Sequence, residues 1–127
     1  MDEASAPLIL VIDDDDAVRS IVAETLKGEG YRVDEASNAA AGLMRVKSGP
    51  PDLILLDIVM PVNDGYHFLE RLRREGNEAE IPIILVSATH ALPDAPHDLG
   101  VRAVLTKPFD VGILLAIVER LTRRNQI

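Results

Sequence analysis

The chain has 127 residues of which 47% are hydrophobic, enough apolar material for one core of domain size; a single domain over residues 1–127 is expected, with its core at about 8–124. A net charge of −8 argues against binding a phosphate backbone, which rests on clustered Lys and Arg, so direct nucleic-acid contact is not expected. The lack of cysteine excludes disulfides and thiol chemistry, the opening MDEASAP is not a secretory signal, and no apolar run approaches the roughly 20 residues of a membrane span; a cytoplasmic protein without a membrane partner is expected.

The first apolar run, LILVI at 8–12, is followed at once by four aspartates, Asp13 to Asp16. Val18, Ile21, Val22 and Leu26 then recur at helical spacing, and Gly28 with Gly30 ends that helix in the manner of a C-cap. Asp15 and Asp16 fall where this helix begins, so one of them is expected as its N-cap. A second strand follows at YRVDEA (31–36), and a second helix is marked by Ala40, Leu43 and Val46 and stopped by Gly49, Pro50 and Pro51. DLILLD (52–57) is the third strand; Phe68, Leu69 and Leu72 mark a third helix; IPIILVSA (81–88) is the fourth strand. The interval THALPDAPHDLG holds Pro93 and Pro96, and interior prolines remove helical hydrogen bonds, so at most a short or distorted fourth helix fits there. VRAVLT (101–106) is the fifth strand, and Val111, Leu114, Leu115, Val118 and Leu121 mark the last helix. Strands nearly continuous in Ile, Leu and Val, alternating with helices, describe a parallel sheet covered on both faces, a doubly wound α/β domain.

In open α/β sheets, ligands bind beyond the carboxyl ends of the strands. Here those positions carry Asp13 and Asp14 after the first strand, Asp57 at the end of the third, Ser87 at the fourth and Lys107 after the fifth. Neighbouring carboxylates suit a hard divalent cation, which takes oxygen ligands and cancels their repulsion. A phosphoryl group would complete the set, its oxygens shared between cation, ammonium and hydroxyl, with one carboxylate as nucleophile.

With these motifs, VIDDDD, PDLILLDIVMPVNDG, the SAT ending the fourth strand and LTKPF near the C-terminus, the sequence closely resembles the receiver domain of two-component response regulators from about Leu8 to the final helix. The resemblance implies a flavodoxin-like (βα)5 fold with a five-stranded parallel sheet of order 2-1-3-4-5. It implies that Asp57 is the phosphoacceptor, taking a phosphoryl group from a phosphohistidine on a sensor histidine kinase or phosphotransfer protein. Asp13, Asp14, Asp57 and the Val59 backbone carbonyl would hold Mg²⁺ or Mn²⁺, Lys107 would pair with a phosphoryl oxygen, and Ser87 would report the phosphoryl group. The Lys107–Pro108 bond looks like the family's cis peptide, and Asp64 and Gly65 would form the turn into the third helix. Such a protein promotes its own phosphorylation and dephosphorylation but is not a turnover enzyme. The fourth helix, fifth strand and fifth helix would form a self-dimer or output-partner face.

Competing readings are weaker. Asp57 as an ordinary strand-end aspartate leaves the following MP and DG unexplained; Lys107 as a solvated surface lysine conflicts with its place between an apolar strand and Pro-Phe. Ser87 as a local hydrogen-bonding group is the closer contest. His67, His90 and His97 match no metal-ligand spacing and are expected at the surface. Asp13-x-Asp15 also fits the DxD of haloacid-dehalogenase-like phosphatases, with Asp13 as nucleophile and Asp15 as acid, but the last acidic pair of that set is missing and Asp57 is left without a role. A receiver that has lost phosphorylation and serves as a binding module would be missing part of the acidic, hydroxyl and lysine set, and none is missing. Two departures from the receiver pattern affect output: Val104 stands where many receivers carry an aromatic, which excludes an aromatic rotamer switch there, and Val59 has no side-chain hydrogen bond for an attacking water, so slow self-dephosphorylation is expected.

Overall fold

The computed structural model describes residues 6–58, 65–75, 81–87 and 100–123, with backbone alone at Tyr66 and Ser87. The chain runs β1 (Leu8–Ile12), α1 (Asp16–Gly28), β2 (Arg32–Ala36), α2 (Ala39–Ser48), β3 (Leu53–Asp57), α3 (Gly65–Arg74), β4 (Ile83–Ser87), β5 (Val101–Thr106) and α4 (Val111–Thr122). All strand pairs are parallel, in the order β2-β1-β3-β4-β5 that the receiver resemblance implies. The last helix of the sequence reading is α4; the weak interval around Pro93 and Pro96 lies outside the described residues.

The continuous apolar runs have a simple cause. Strand side chains alternate between faces, and both faces of this sheet are covered. Leu10 and Ile12 of β1, Ile54 and Leu56 of β3, and Ile83 and Leu85 of β4 pack with α2 and α3 through Leu43, Phe68, Leu69 and Leu72. The intervening residues, Ile9 and Val11, Leu53 and Leu55, Ile84 and Val86, pack with α1 and α4 through Val22, Leu26, Leu114 and Val118. Each fully buried side chain of this kind contributes about 1.5–3 kcal/mol of transfer free energy, so the three inner strands anchor the molecule. The outer strands β2 and β5 bury fewer positions, which explains the mixed character of RVDEA and VRAVLT.

Helix ends follow local chemistry. Asp15 is the N-cap of α1, its Oδ1 accepting from the amides of Ala17 and Val18, while Asp16 occupies the first turn at the positive end of the helix dipole. Asn38 and Asp110 cap α2 and α4 in the same way. After α1, Gly30 takes a positive φ of 94°, which turns the chain back toward the start of β2 at low steric cost.

On the α2/α3 side, the Glu75 carboxylate accepts from Lys47 Nζ at 2.6 Å and Arg71 Nε at 2.7 Å. Hydrogen bonds to Lys47 and Arg71 hold its pKa below the ordinary 4.5. A depressed carboxylate pKa stabilises the fold above the unfolded-state pKa, and that contribution is lost as pH falls through the folded value. The urea midpoint of Glu75→Gln is therefore expected slightly below wild type and equally so from pH 7 to about 5, the gap closing only below about 4. A gap that widened on acidification would contradict this.

Candidate functional site

Register and parity assemble the site. Ile12 of β1 pairs with Leu56 of β3, so the next residues along, Asp13 and Asp57, stand side by side at the carboxyl edge of the two central strands. Both continue the alternation of the face covered by α1 and α4, and both are buried, at 6% and 7% exposure. Beneath them Val11, Val18, Val22, Leu55, Val86 and Phe109 line a hollow of about 10 Å³. It holds at most about one water, so the carboxylates rest on an apolar floor that screens their charges poorly.

The Asp13 backbone is fixed on both sides: its amide donates to the Ala36 carbonyl at 3.1 Å, and its carbonyl accepts from Arg19 Nη1 at 2.7 Å. Its carboxylate is shared, Oδ1 accepting from the Asp15 amide at 2.9 Å and Oδ2 facing Lys107 Nζ at 3.5 Å. Lys107 Nζ also lies 3.4 Å from Asp57 Oδ2, so one ammonium bridges the two buried carboxylates. Burial alone would lower the Lys107 pKa, but the opposing charges of Asp13 and Asp57 outweigh it and hold the ammonium above the ordinary 10.5. The Lys107–Pro108 bond is cis, as the resemblance implies.

Asp14 is exposed, yet one oxygen each of Asp13, Asp14 and Asp57 fall within 4.8 Å of one another. Two unit charges at that separation repel by about 3 kcal/mol at an effective dielectric of 20. One ammonium against three carboxylates leaves two negative charges in surplus. An oxygen-only donor set with that surplus fits a hard divalent cation.

Gly65, the first residue of α3, sits tightly against the end of β3. It donates its amide to the Ile58 carbonyl at 2.8 Å, and a Cβ on Gly65 would lie 2.6 Å from the Ile58 Cα and 3.0 Å from the Asp57 carbonyl oxygen. The glycine at position 65 is thus required by close backbone approach beside Asp57.

Of the expected site residues, Asp13, Asp14, Asp57 and Lys107 are brought together. Ser87 ends β4, paired in register with Thr106; its side chain, like Val59 and Asp64, lies outside the described residues, as do His90 and His97. His67 is exposed on α3 and stands apart from the acidic cluster. The phosphatase alternative fares poorly: Asp15, the acid it requires, has its carboxylate committed to the amides of Ala17 and Val18. Arg19 is the residue that sequence reading missed. Its spacing three residues from Asp16, an ion-pairing distance on a helix, was the available signal.

A family model described as "Response regulator receiver domain" matches residues 9–119. The chain belongs to the response regulator receiver domain family. It is therefore a receiver domain of two-component signalling, and phosphoacceptance is the activity of that family. This receiver is 40% identical over 121 residues to the DNA-binding dual master transcriptional regulator RpaA of Synechocystis sp., covering 94% of this chain and 50% of RpaA. It is 35% identical over 119 residues to the KDP operon transcriptional regulatory protein KdpE of Escherichia coli, covering 92% of this chain and 52% of KdpE. The chain thus spans about half the length of the curated relatives it matches. Among solved structures, a CheY-like receiver domain protein from Methanospirillum hungatei superposes with a TM-score of 0.86 at 27% identity, covering 96% of this receiver and 98% of that chain. The response regulator TrrA of Thermotoga maritima, solved in complex with Mg²⁺-BeF, superposes with a TM-score of 0.80 at 30% identity, covering 91% and 98%. No helix among the described residues is long and apolar enough to cross a membrane.

Proposed function

We propose that this receiver accepts a phosphoryl group on Asp57 from a phosphohistidine of a histidine kinase or phosphotransfer protein, in a reaction that requires Mg²⁺ or Mn²⁺ held by Asp13, Asp14 and Asp57. The observation that carries the reading is the pairing of two buried carboxylates, Asp13 and Asp57, across one ammonium, with a third carboxylate close enough to share a cation. A bound divalent cation supplies charge neutralisation for the incoming phosphoryl oxygens.

The chain's own residues do the rest. An Asp57 carboxylate oxygen attacks phosphorus as the donor's P–N bond breaks, and the departing imidazole nitrogen keeps the bonding electron pair. Lys107, already within 3.5 Å of both carboxylates, exchanges its Asp57 contact for a phosphoryl oxygen. The Asp13 carboxylate, fixed by the Asp15 amide, keeps its position as Lys107 moves. Ser87, at the end of the adjacent strand, is assigned the reporting role, and the change passes as a population shift to the loops beyond β4 and β5. The reaction is a single modification and not repeated turnover, and its location is the cytoplasm, where a kinase would meet it. The whole of residues 1–127 is assigned to one receiver unit. An output partner or second copy is assigned to the face that includes β5 and α4.

Cation removal tests the reading. Intact-mass measurement after incubation with a small phosphodonor is expected to show one added phosphoryl group in Mg²⁺ and none with excess chelator. An adduct of equal yield in both would overturn the cation's role. Repeated donor hydrolysis without an adduct would favour a phosphohydrolase instead.

A further inference from the structure

Arg19 occupies the first full turn of α1, with only 15% of its side chain exposed. All three of its donor groups are engaged in different directions. Nη1 donates to the Asp13 carbonyl at 2.7 Å, Nη2 to Asp16 Oδ1 at 2.7 Å, and Nε to Glu35 Oε1 at 3.2 Å. Glu35 lies on β2 beside Val11 of β1, and its neighbour Ala36 accepts the Asp13 amide. One planar guanidinium therefore ties the end of β1 to α1 and to β2, meeting the backbone at the very residue whose carboxylate faces Asp57 and Lys107.

We propose that Arg19 is a positioning residue for the acidic site: through its clamp on the Asp13 carbonyl, braced by Glu35 and Asp16, it sets the aim of the Asp13 carboxylate and so the affinity for a divalent cation. The inference rests on the cation assignment made under Proposed function. Two features favour positioning over a direct electrostatic part. The guanidinium is more than offset by two carboxylates of its own, Asp16 and Glu35, so the cluster brings no net positive field to the site. Its contact with the site is to a carbonyl, which fixes a peptide plane while Arg19 itself occupies neither carboxylate oxygen. Lysine would not substitute, because a point charge cannot hold three acceptors in a planar fork. Partners of this kind behind a ligand typically alter metal affinity by about 10–100-fold when removed.

The test is Mn²⁺ binding by calorimetry, at a temperature where circular dichroism shows each variant folded. Arg19→Gln is expected to weaken Mn²⁺ about tenfold, Arg19→Lys to behave like Arg19→Gln, and Glu35→Gln to weaken it by a smaller factor. Raising Mn²⁺ to saturation is expected to restore the rate of adduct formation on Arg19→Gln nearly to wild type, because the acceptor itself is untouched. Leu72→Val, which loosens the core on the opposite face of the sheet, is the stability control; its melting temperature falls with Mn²⁺ affinity unchanged. If Arg19→Gln melts lower yet binds Mn²⁺ as tightly as wild type, Arg19 is only a staple between α1 and the sheet and the proposal is overturned. Should Arg19→Gln not fold, Arg19→Lys and Glu35→Gln are judged by the same affinity criterion. If wild type and Asp13→Asn bind Mn²⁺ equally weakly, the cation assignment itself is wrong, and the proposal goes with it.

Discussion

Replacing Asp57 by asparagine is expected to abolish the phosphoryl adduct while leaving the fold intact. The amide keeps the size and planarity of the carboxylate, so the core around Leu55 and Leu56 is undisturbed, but it offers no anionic oxygen to attack phosphorus. The electrostatic consequences oppose one another, with one attraction lost and two repulsions relieved. Asp57 loses attraction to Lys107 at 3.4 Å, and the site loses repulsion between Asp57 and the oxygens of Asp13 and Asp14 within 4.8 Å. Each such interaction is of the order of 3–5 kcal/mol at an effective dielectric of 20, with opposite signs. The melting temperature in chelator is thus expected to match or slightly exceed wild type, and intact-mass measurement after donor treatment to show no adduct. Adduct formation at the wild-type level in this variant would remove Asp57 from the mechanism.

Replacing Lys107 by methionine keeps the apolar stem and removes the ammonium. Two effects are expected together. The Asp13 and Asp57 carboxylates lose their shared partner, a cost of about 1–3 kcal/mol in chelator, since each is left buried with a charge less well compensated. The rate of adduct formation falls about 100-fold, the usual loss when a donor to the reacting oxygens is removed. The pH dependence has a definite sign. Burial works against the Lys107 charge, but Asp13 and Asp57 outweigh it, so the folded-state pKa lies above the ordinary 10.5. A raised lysine pKa stabilises the fold at all pH values below the unfolded pKa, and the contribution is lost as pH rises through the folded value. The difference in urea midpoint between wild type and Lys107→Met should therefore be constant from pH 7 to about 10 and shrink only in stronger alkali. A gap that disappeared near neutrality would contradict the bridging role.

Much of this architecture is legible because parallel strands buried on two faces leave a strong mark. LILVI and DLILLD can bury all but their first side chains only in the centre of a covered sheet, and the β1–β3 register then places Asp13 beside Asp57 without further information. The edge strands are less distinct, since RVDEA buries only Ala36 fully. The split of the four aspartates is also visible in outline: Asp15 proves to be the cap and Asp16 the first-turn acid, while Asp13 is buried and Asp14 exposed, a difference that adjacent identical residues cannot announce. Two features left no comparable trace. Gly65 looks like an ordinary turn glycine, although its position is governed by the nearby backbone of Ile58. Arg19 acts on a carbonyl, and a backbone acceptor has no sequence signature; only the DxxR spacing hinted at its involvement.

The central claim is that phosphoryl transfer occurs on the one buried carboxylate that ends β3. The most direct measurement is to treat the Mg²⁺-loaded, phosphodonor-reacted protein with borohydride, which reduces an acyl phosphate to an alcohol, and to locate the converted residue by peptide mass spectrometry. Conversion of Asp57 to homoserine, dependent on both donor and Mg²⁺, is the predicted result; conversion at Asp13 or Asp15 with Asp57 unmodified would contradict it.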